Sequence, residues 1–154
     1  LELPTVDTPL EQLRAHDFAP FKALNHLPMA MTAHVVFSAI DPTGPATTSE
    51  KVIREIVRGE IGFDGLLISD DTSMKALSGD FPEKAEAILA AGCDLVLHCN
   101  GVMEEMAGIA SKTIALAGRS LERANRALQA VPGHDTVAEA DIRAEFANYF
   151  EAVA

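Results

Sequence analysis

The stretch Leu66-Leu67-Ile68-Ser69-Asp70-Asp71 decides the fold of this 154-residue chain. Its apolar residues form a continuous run rather than the alternation of a strand with one wet face, and the turn residues at 62–65 separate the run from a helical pattern before it. Such a run is typical of a strand buried on both faces of a parallel sheet. Two carboxylates follow at its carboxyl end, where βα folds gather their functional groups. We therefore expect Asp70 at the functional edge of a parallel sheet.

The same organisation extends on both sides of this strand. Apolar runs at 29–37 and 93–99 have the length of strands, and patterns with helical spacing cover 8–25, 49–58, 82–91, 102–112, 119–130 and 137–153. Asp80-Phe81-Pro82-Glu83 has the spacing of a capping box, and Gly92 is placed to end that helix. The order predicts an α/β fold whose parallel strands are covered by helices.

Three strands alone would leave two apolar sheet edges, which natural proteins seldom expose. We therefore expect the remaining strands to come from sequence outside this chain or from a second copy of it. The first residues, Leu1-Glu2-Leu3-Pro4, contain no initiating Met, which favours a start within a longer polypeptide.

Composition excludes several classes of partner. The formal net charge is -11, from 12 Lys and Arg against 23 Asp and Glu, so a surface that contacts many nucleic-acid phosphates is not expected. The longest apolar runs are too short to cross a bilayer, and no signal pattern precedes them. Cys93 and Cys99 fall in one predicted strand, too far apart to bridge, so we expect two reduced thiols in the core and a cytoplasmic protein.

Polar side chains stand at the ends of the three predicted strands: Thr32 and His34, then Ser69, Asp70 and Asp71, then His98 and Asn100. From its position alone, Asp70 could equally well be a nucleophilic carboxylate or a helix cap, whereas for Asp71 the role of helix cap is favoured. For His34, a structural role is favoured over a polar contact with a ligand at the carboxyl edge of the sheet. The spacing of His16, His26 and His134 supports no metal site, and no cofactor is predicted.

Two alternatives remain open from the residues alone. Asp70 and Asp71 could form a Mg²⁺-binding pair in a phosphoacceptor or phosphatase-like α/β module, although no Gly-rich phosphate loop accompanies them. The chain could instead be a non-catalytic unit that works by association with another chain.

Five blocks of the sequence resemble, in unbroken order, the family 3 glycoside hydrolases, specifically the bacterial β-N-acetylhexosaminidases of peptidoglycan recycling. The blocks are Met29-Ala30-Met31-Thr32-Ala33-His34, Asp41-Pro42 through Pro45-Ala46-Thr47-Thr48-Ser49, Gly62-Phe63-Asp64-Gly65, Ser69-Asp70-Asp71-Thr72-Ser73-Met74 and Ala90-Ala91-Gly92-Cys93-Asp94. Ordered blocks are far more specific than any one motif.

The resemblance implies a (β/α)₈ barrel of which this chain would supply the sixth to eighth strands as one unit, residues 1–154. The association alternative then becomes a non-catalytic half-barrel that binds another chain. Residues 1–116 would hold the βα units, and 117–154 extra C-terminal helices that pack on the barrel. Asp70 would be the nucleophile at the end of the seventh strand, with Met74 lining the sugar pocket and His34 a possible contact there. Thr72 stands where the family has Leu.

The implied activity is retaining hydrolysis that removes terminal β-linked N-acetylglucosamine from anhydro-muropeptides. In this family the acid/base histidine lies on a Lys-His-x-Pro-Gly-His-Gly type loop, which would precede Leu1. None of the five histidines stands in such a motif, so we expect the chain to be nearly inactive by itself.

Overall fold

The helices and strands alternate as expected of βα units. The computed structural model describes residues 3–133 and 137–151. Its strands are β1 (Thr5–Val6), β2 (Met29–Met31), β3 (Val36–Phe37), β4 (Leu66–Asp71) and β5 (Leu95–Leu97). Its α-helices are α1 (Leu10–Gln12), α2 (Phe18–Ala23), α3 (Phe81–Ala91), α4 (Met103–Ala110), α5 (Gly118–Gln129) and α6 (Glu139–Glu151). A π-helix, Leu13–Asp17, joins α1 to α2, and a 3₁₀ turn, Ala46–Thr48, precedes a second π-helix, Val52–Glu60.

The main sheet has three parallel strands in the order β2-β4-β5, which confirms the predicted parallel α/β arrangement. Leu66, Leu67 and Ser69 in the central strand β4 are buried, as the apolar run predicts for a strand covered on both faces. The carboxyl end of β4 is therefore flanked by a neighbouring strand end on each side.

The prediction of one buried strand over 29–37 is wrong. The run divides into β2, which pairs with β4, and β3, which pairs in parallel with β1 in a separate two-stranded sheet. The chain turns away between them, where the buried His34 side chain makes hydrogen bonds of its own. A continuous apolar run cannot reveal such a division, because both pieces are equally apolar.

Local signals placed the helix α3 correctly. Asp80 and Glu83 form both hydrogen bonds of a capping box, and Gly92 ends the helix with a φ of 108°, a backbone conformation that glycine adopts without a steric penalty. The helix predicted at 49–58 is present: residues 50–51 are helical and continue into the π-helix Val52–Glu60. The Ser49 hydroxyl accepts a hydrogen bond from the Val52 N–H at 3.1 Å, so Ser49 caps the start of this helix.

The apolar core consists of two clusters of buried residues. One cluster packs Ile53, Phe63, Leu67, Leu77, Ile88, Ala91 and Cys93 together. The other packs Leu13, Phe18, Ile40, Ala46, Val52 and Ile56. The helix Val52–Glu60 contributes to both clusters, which ties the N-terminal helices to the sheet.

A buried ionic network fastens α5 to the amino-terminal end of the sheet. Asp94, whose side chain is 2% exposed, accepts hydrogen bonds from Arg58 at 2.8 Å, Arg123 at 3.1 Å and Ser120 at 2.6 Å. It also accepts one from the Leu67 N–H at 2.9 Å. This network is at the opposite end of β4 from Asp70, so its role is in the fold.

Both cysteines are free thiols, but the prediction of two core thiols is wrong for Cys99: Cys93 is buried, whereas Cys99 is exposed beyond the end of β5. Neither belongs to β5, which is shorter than the predicted strand at 93–99. No helix in the described ranges is long and apolar enough to cross a membrane. His134 and the end of the predicted helix at 137–153 lie outside the described residues.

Candidate active site at the carboxyl end of β4

A β-bulge presents Asp70 at the end of β4. The register with β5 pairs Ile68 with Leu95 and Asp71 with Leu97, so β4 carries one more residue than its partner in this interval. The buried Ser69 compensates, because its hydroxyl accepts a hydrogen bond from the Leu97 N–H at 2.9 Å. Bulges bend a strand and redirect side chains, and they are common beside active sites. The bulge explains why Ser69, which carries a hydroxyl, stands in an otherwise apolar strand. The apolar pattern did not predict the bulge.

The Asp70 carboxylate is half-buried and makes few contacts. Its Oδ1 accepts a hydrogen bond from the Asp71 backbone N–H at 2.8 Å, and no described residue donates to Oδ2. The helix-cap role that the sequence allowed is not observed, since the residues after β4 form turns and the next helix begins ten residues later at Phe81. An oxygen without an internal partner at a strand end is free to meet a ligand.

Asp71, by contrast, is held by the protein. Its carboxylate accepts hydrogen bonds from the backbone N–H groups of Ser73 at 2.9 Å and Cys99 at 3.1 Å, and from the Ser73 hydroxyl. Burial alone would raise the pKa of this carboxyl, but the hydrogen bonds from Ser73 and Cys99 and the nearby His98 outweigh that effect and lower it. The predicted helix cap is therefore wrong in detail: Asp71 stabilises a turn and links it to the loop after β5.

His34 lies behind this turn and is 3% exposed. Its Nδ1 is 2.9 Å from Oγ1 of the buried Thr47, and its Nε2 is 3.0 Å from the carbonyl oxygen of Asp71. Thr32 joins the same group, because its hydroxyl donates to Thr47 Oγ1 at 2.9 Å and accepts from the Asp70 N–H at 3.3 Å. The tertiary structure thus joins Thr32, His34 and Asp70, which the sequence placed at two separate strand ends. Thr47 was missed as a member, since nothing local marks it.

His98 occupies a second buried position, on the β5 side of the site. Its Nδ1 is 3.0 Å from the Thr72 hydroxyl, and its ring packs edge-on against Phe81 with centroids 5.1 Å apart. Its Nε2 lies 3.1 Å from Glu105 Oε2, a distance suited to an ion pair when the ring is protonated, but the N–H is not aligned for a hydrogen bond. Neither His34 nor His98 therefore presents a free ring nitrogen to an open site.

The remaining candidates differ in exposure. Met74 is 45% exposed in the turn after β4, and its backbone N–H donates to the Asp71 carbonyl oxygen at 3.2 Å. Asn100 is exposed and bonds to Glu105. His16 and His26 are exposed on or after the N-terminal helices, away from the strand ends.

The geometry gives little support to a Mg²⁺ pair at Asp70 and Asp71. Both oxygens of the Asp71 carboxylate already accept hydrogen bonds from Ser73 and Cys99. Within residues 3–133 and 137–151, no three His, Cys, Asp or Glu side chains are grouped to hold a metal ion. Mg²⁺ requires near-octahedral coordination by oxygen ligands, which the single free oxygen of Asp70 does not provide.

Comparison with known proteins relates the chain to one family. The family model described as the glycosyl hydrolase family 3 N terminal domain matches residues 1–131. A beta-hexosaminidase of Idiomarina loihiensis is 40% identical over 131 residues, which are 83% of this chain and 39% of that protein. A beta-hexosaminidase of Alkalilimnicola ehrlichii is 46% identical over 104 residues, 65% of this chain and 30% of that protein. The chain spans about a third of the length of these curated relatives.

Solved structures agree with this relationship. Native NagZ from Neisseria gonorrhoeae superposes with a TM-score of 0.71 at 31% identity, covering 92% of this chain and 40% of that one. The beta-N-acetylglucosaminidase from Thermotoga maritima superposes with a TM-score of 0.62 at 34% identity, covering 82% and 30%. The family model covers most of the sequence, and the backbone follows these structures over most of its length. The chain belongs to glycosyl hydrolase family 3.

Proposed function

We propose that this chain supplies the nucleophile-bearing part of a retaining glycoside hydrolase, with Asp70 as the nucleophile. The substrate is a terminal, β-linked N-acetylglucosamine of peptidoglycan fragments, the anhydro-muropeptides of cell-wall recycling, and the enzyme works in the cytoplasm. The relatives named beta-hexosaminidase and beta-N-acetylglucosaminidase support the choice of sugar.

The observation that carries this proposal is the contrast between two adjacent carboxylates. Asp71 is bound on both oxygens by its own chain, whereas Asp70 keeps Oδ2 without a hydrogen bond from any described residue. A glycosidase nucleophile needs such an ionised oxygen aimed at the sugar and a rigid backbone behind it. Asp70 supplies a carboxylate oxygen that the described residues leave unbound, and the hydrogen bond from the Leu97 N–H to Ser69 helps to fix the backbone behind it.

The reaction proceeds in two displacements. An Asp70 carboxylate oxygen attacks the anomeric carbon while the bond from that carbon to the leaving oxygen breaks, and an acid gives the leaving oxygen its proton. Water then attacks the same carbon, releases Asp70 and returns a proton to the base. The configuration at the anomeric carbon is retained overall.

The acid/base residue of this mechanism comes from outside the chain. His34 and His98 are enclosed, each with Nδ1 facing a threonine hydroxyl, and Asp71 serves the turn. General acid catalysis contributes about 10²- to 10⁴-fold, so the chain alone has little activity.

We infer that the fold is the part of a (β/α)₈ barrel holding strands six to eight, as β2, β4 and β5, with residues 1–154 as one unit. Support comes from the outer edges of β2 and β5, which no strand of the described residues covers. A groove of about 390 Å³ beside β2 exposes Phe21, Met29 and Met31. The remaining barrel strands, or a second copy of the chain, would bury this surface, and α5 and α6 would pack outside the barrel.

Met74 completes the proposed sugar pocket. Its side chain is exposed close to the Asp70 turn, and an apolar thioether suits the ring face of a sugar. The expected sugar contact of His34 would cost one of its two internal hydrogen bonds, so we assign the pocket wall to Met74.

The decisive experiment uses a polypeptide that carries this sequence together with the rest of a family 3 hydrolase. Asp70→Ala should abolish hydrolysis of 4-nitrophenyl N-acetyl-β-D-glucosaminide. Added azide should restore the release of 4-nitrophenol, because azide fills the space left by the carboxylate, attacks the anomeric carbon as the bond to nitrophenol breaks, and leaves the sugar as an α-glycosyl azide. Asp71→Asn is the matched control: it should weaken the turn without azide rescue. Near-normal turnover by Asp70→Ala would refute the assignment.

A further inference from the structure

We propose that Thr32, Thr47 and His34 form a hydrogen-bonded clamp on the Asp70-Asp71 segment, in which His34 is a positioning residue with a neutral ring protonated on Nε2. The proposal deepens the proposed function, since it rests on Asp70 being the nucleophile. It concerns groups that touch the backbone of the nucleophile turn rather than the sugar.

The direction of each hydrogen bond follows from the one group that can only accept. The Asp71 carbonyl oxygen lies 3.0 Å from His34 Nε2, so that nitrogen carries the hydrogen. In a neutral ring Nδ1 then accepts, and its partner at 2.9 Å is the Thr47 hydroxyl.

The rest of the chain of hydrogen bonds runs the same way. Thr47 Oγ1 accepts from the Thr32 hydroxyl at 2.9 Å, and Thr32 Oγ1 accepts from the Asp70 N–H at 3.3 Å. Every hydroxyl therefore donates once and accepts once. The clamp starts at the N–H of Asp70 and ends at the carbonyl of Asp71.

A second proton on the His34 ring would interrupt this order. Nδ1–H and the Thr32 hydroxyl would both point at Thr47 Oγ1, and the Thr47 hydrogen would have no acceptor in a site where Thr47 is fully buried. The buried Cys93 thiol also lies on this side, with its Sγ 3.9 Å from the carbonyl oxygen of Thr47. Burial is the main cause that raises the pKa of this thiol to about 12, so no thiolate competes for the hydroxyl hydrogens.

The clamp acts where the pairing of β4 with β5 is irregular, because the bulge beside Asp70 interrupts it. On the β5 side, Ser69 and Asp71 accept hydrogen bonds from the N–H groups of Leu97 and Cys99. Thr32, Thr47 and His34 hold the opposite, β2 side. Misplacing a reacting group by about 1 Å can lower the rate about 10²-fold. The hydrogen bonds on both sides of Asp70 therefore affect the rate through the position of its carboxylate.

The first test reads the tautomer directly. Nitrogen-15 NMR of the chain at neutral pH should show His34 protonated on Nε2 alone, the signal being identified by its loss in His34→Gln. Thr47→Val, which removes the hydroxyl at nearly constant shape, should shift the His34 Nδ1 resonance and speed exchange of the Asp70 amide hydrogen, and Thr47→Ser should restore both. A ring protonated on Nδ1, or no response to Thr47→Val, would overturn the clamp.

The second test measures turnover in the polypeptide that carries the remainder of the hydrolase. Thr47→Val should lower kcat by about 10- to 100-fold with little change in KM, and Thr47→Ser should recover most of the rate. Equal kcat in wild type and Thr47→Val would refute the positioning role. If Asp70→Ala keeps its activity while the tautomer is as stated, the proposed nucleophile fails and the clamp survives as a structural feature.

Discussion

The hydroxyl of Thr72 lies 3.0 Å from Nδ1 of His98 and donates to the carbonyl oxygen of Leu97 at 2.9 Å. Thr72 is fully buried, and the His98 side chain is 6% exposed. A buried polar pair therefore joins the turn after Asp71 to the end of β5.

Removing both members of this pair should cost less than the sum of the costs of removing each one alone. Thr72→Val leaves His98 Nδ1 buried without a partner, which we expect to lower the free energy of unfolding by about 1–3 kcal/mol. Thr72→Val combined with His98→Leu should be less destabilised than the sum of the single variants by about 1 kcal/mol. Urea denaturation of the four proteins measures the coupling, and additive effects would contradict it.

Loss of the Asp94 carboxylate should destabilise the fold strongly. Asp94→Ala leaves Arg58 and Arg123, with side chains 16% and 15% exposed, without their buried counter-charge. Breaking a buried ion pair in this way costs about 3–5 kcal/mol. The matched control is Glu86→Ala, which breaks an exposed pair with Lys112 and should leave the urea midpoint nearly unchanged. An equal effect of both variants would contradict the prediction.

Stability should decline in acid because of the same carboxylate. Burial raises the pKa of Asp94, but hydrogen bonds from Ser120 and the Leu67 N–H and the charges of Arg58 and Arg123 outweigh it, so the pKa lies below the ordinary 3.8. A carboxyl with a lowered folded pKa stabilises the fold above its unfolded pKa and loses that contribution as pH falls through the folded value.

The free energy of unfolding should therefore fall as pH drops below 3.8, the ordinary pKa of this carboxyl, and the fall should be shallower in Asp94→Asn. Urea titrations between neutral and acidic pH measure this slope. A slope that the variant does not change would show that other carboxyls govern acid stability.

The two thiols should differ in reactivity. Partial desolvation of the thiol by neighbouring atoms, and then the nearby Asp71 and Asp70 carboxylates, raise the pKa of Cys99 although the residue is exposed. Iodoacetamide should therefore alkylate Cys99 slowly, and Asp71→Asn should accelerate the reaction. Cys93 should react only after unfolding. Mass spectrometry of digested samples follows both residues, with Asp64→Asn as a distant carboxylate control. Native labelling of Cys93 at the rate of Cys99 would contradict the prediction.

Much of the fold was predictable because its signals are local. The capping box at Asp80 and Glu83 and the glycine at 92 act within one helix turn, and the apolar run before Asp70 shows in the sequence that its strand is buried. The run at 29–37 was misread because composition does not show which partner each half pairs with; β2 joins β4, and β3 joins β1.

Sequence by itself determined the parallel α/β class, the position of Asp70 at a strand end and, through its ordered blocks, the family. Only the tertiary structure decided which of two adjacent aspartates is free, because Asp71 is bound by Cys99, 28 residues away along the chain. It also decided the surroundings of Asp70, since Ser69, Thr47 and His34 gain their roles from hydrogen bonds between separate elements. Such bonds depend on distances of about 3 Å set by packing, and residue order carries no direct record of them.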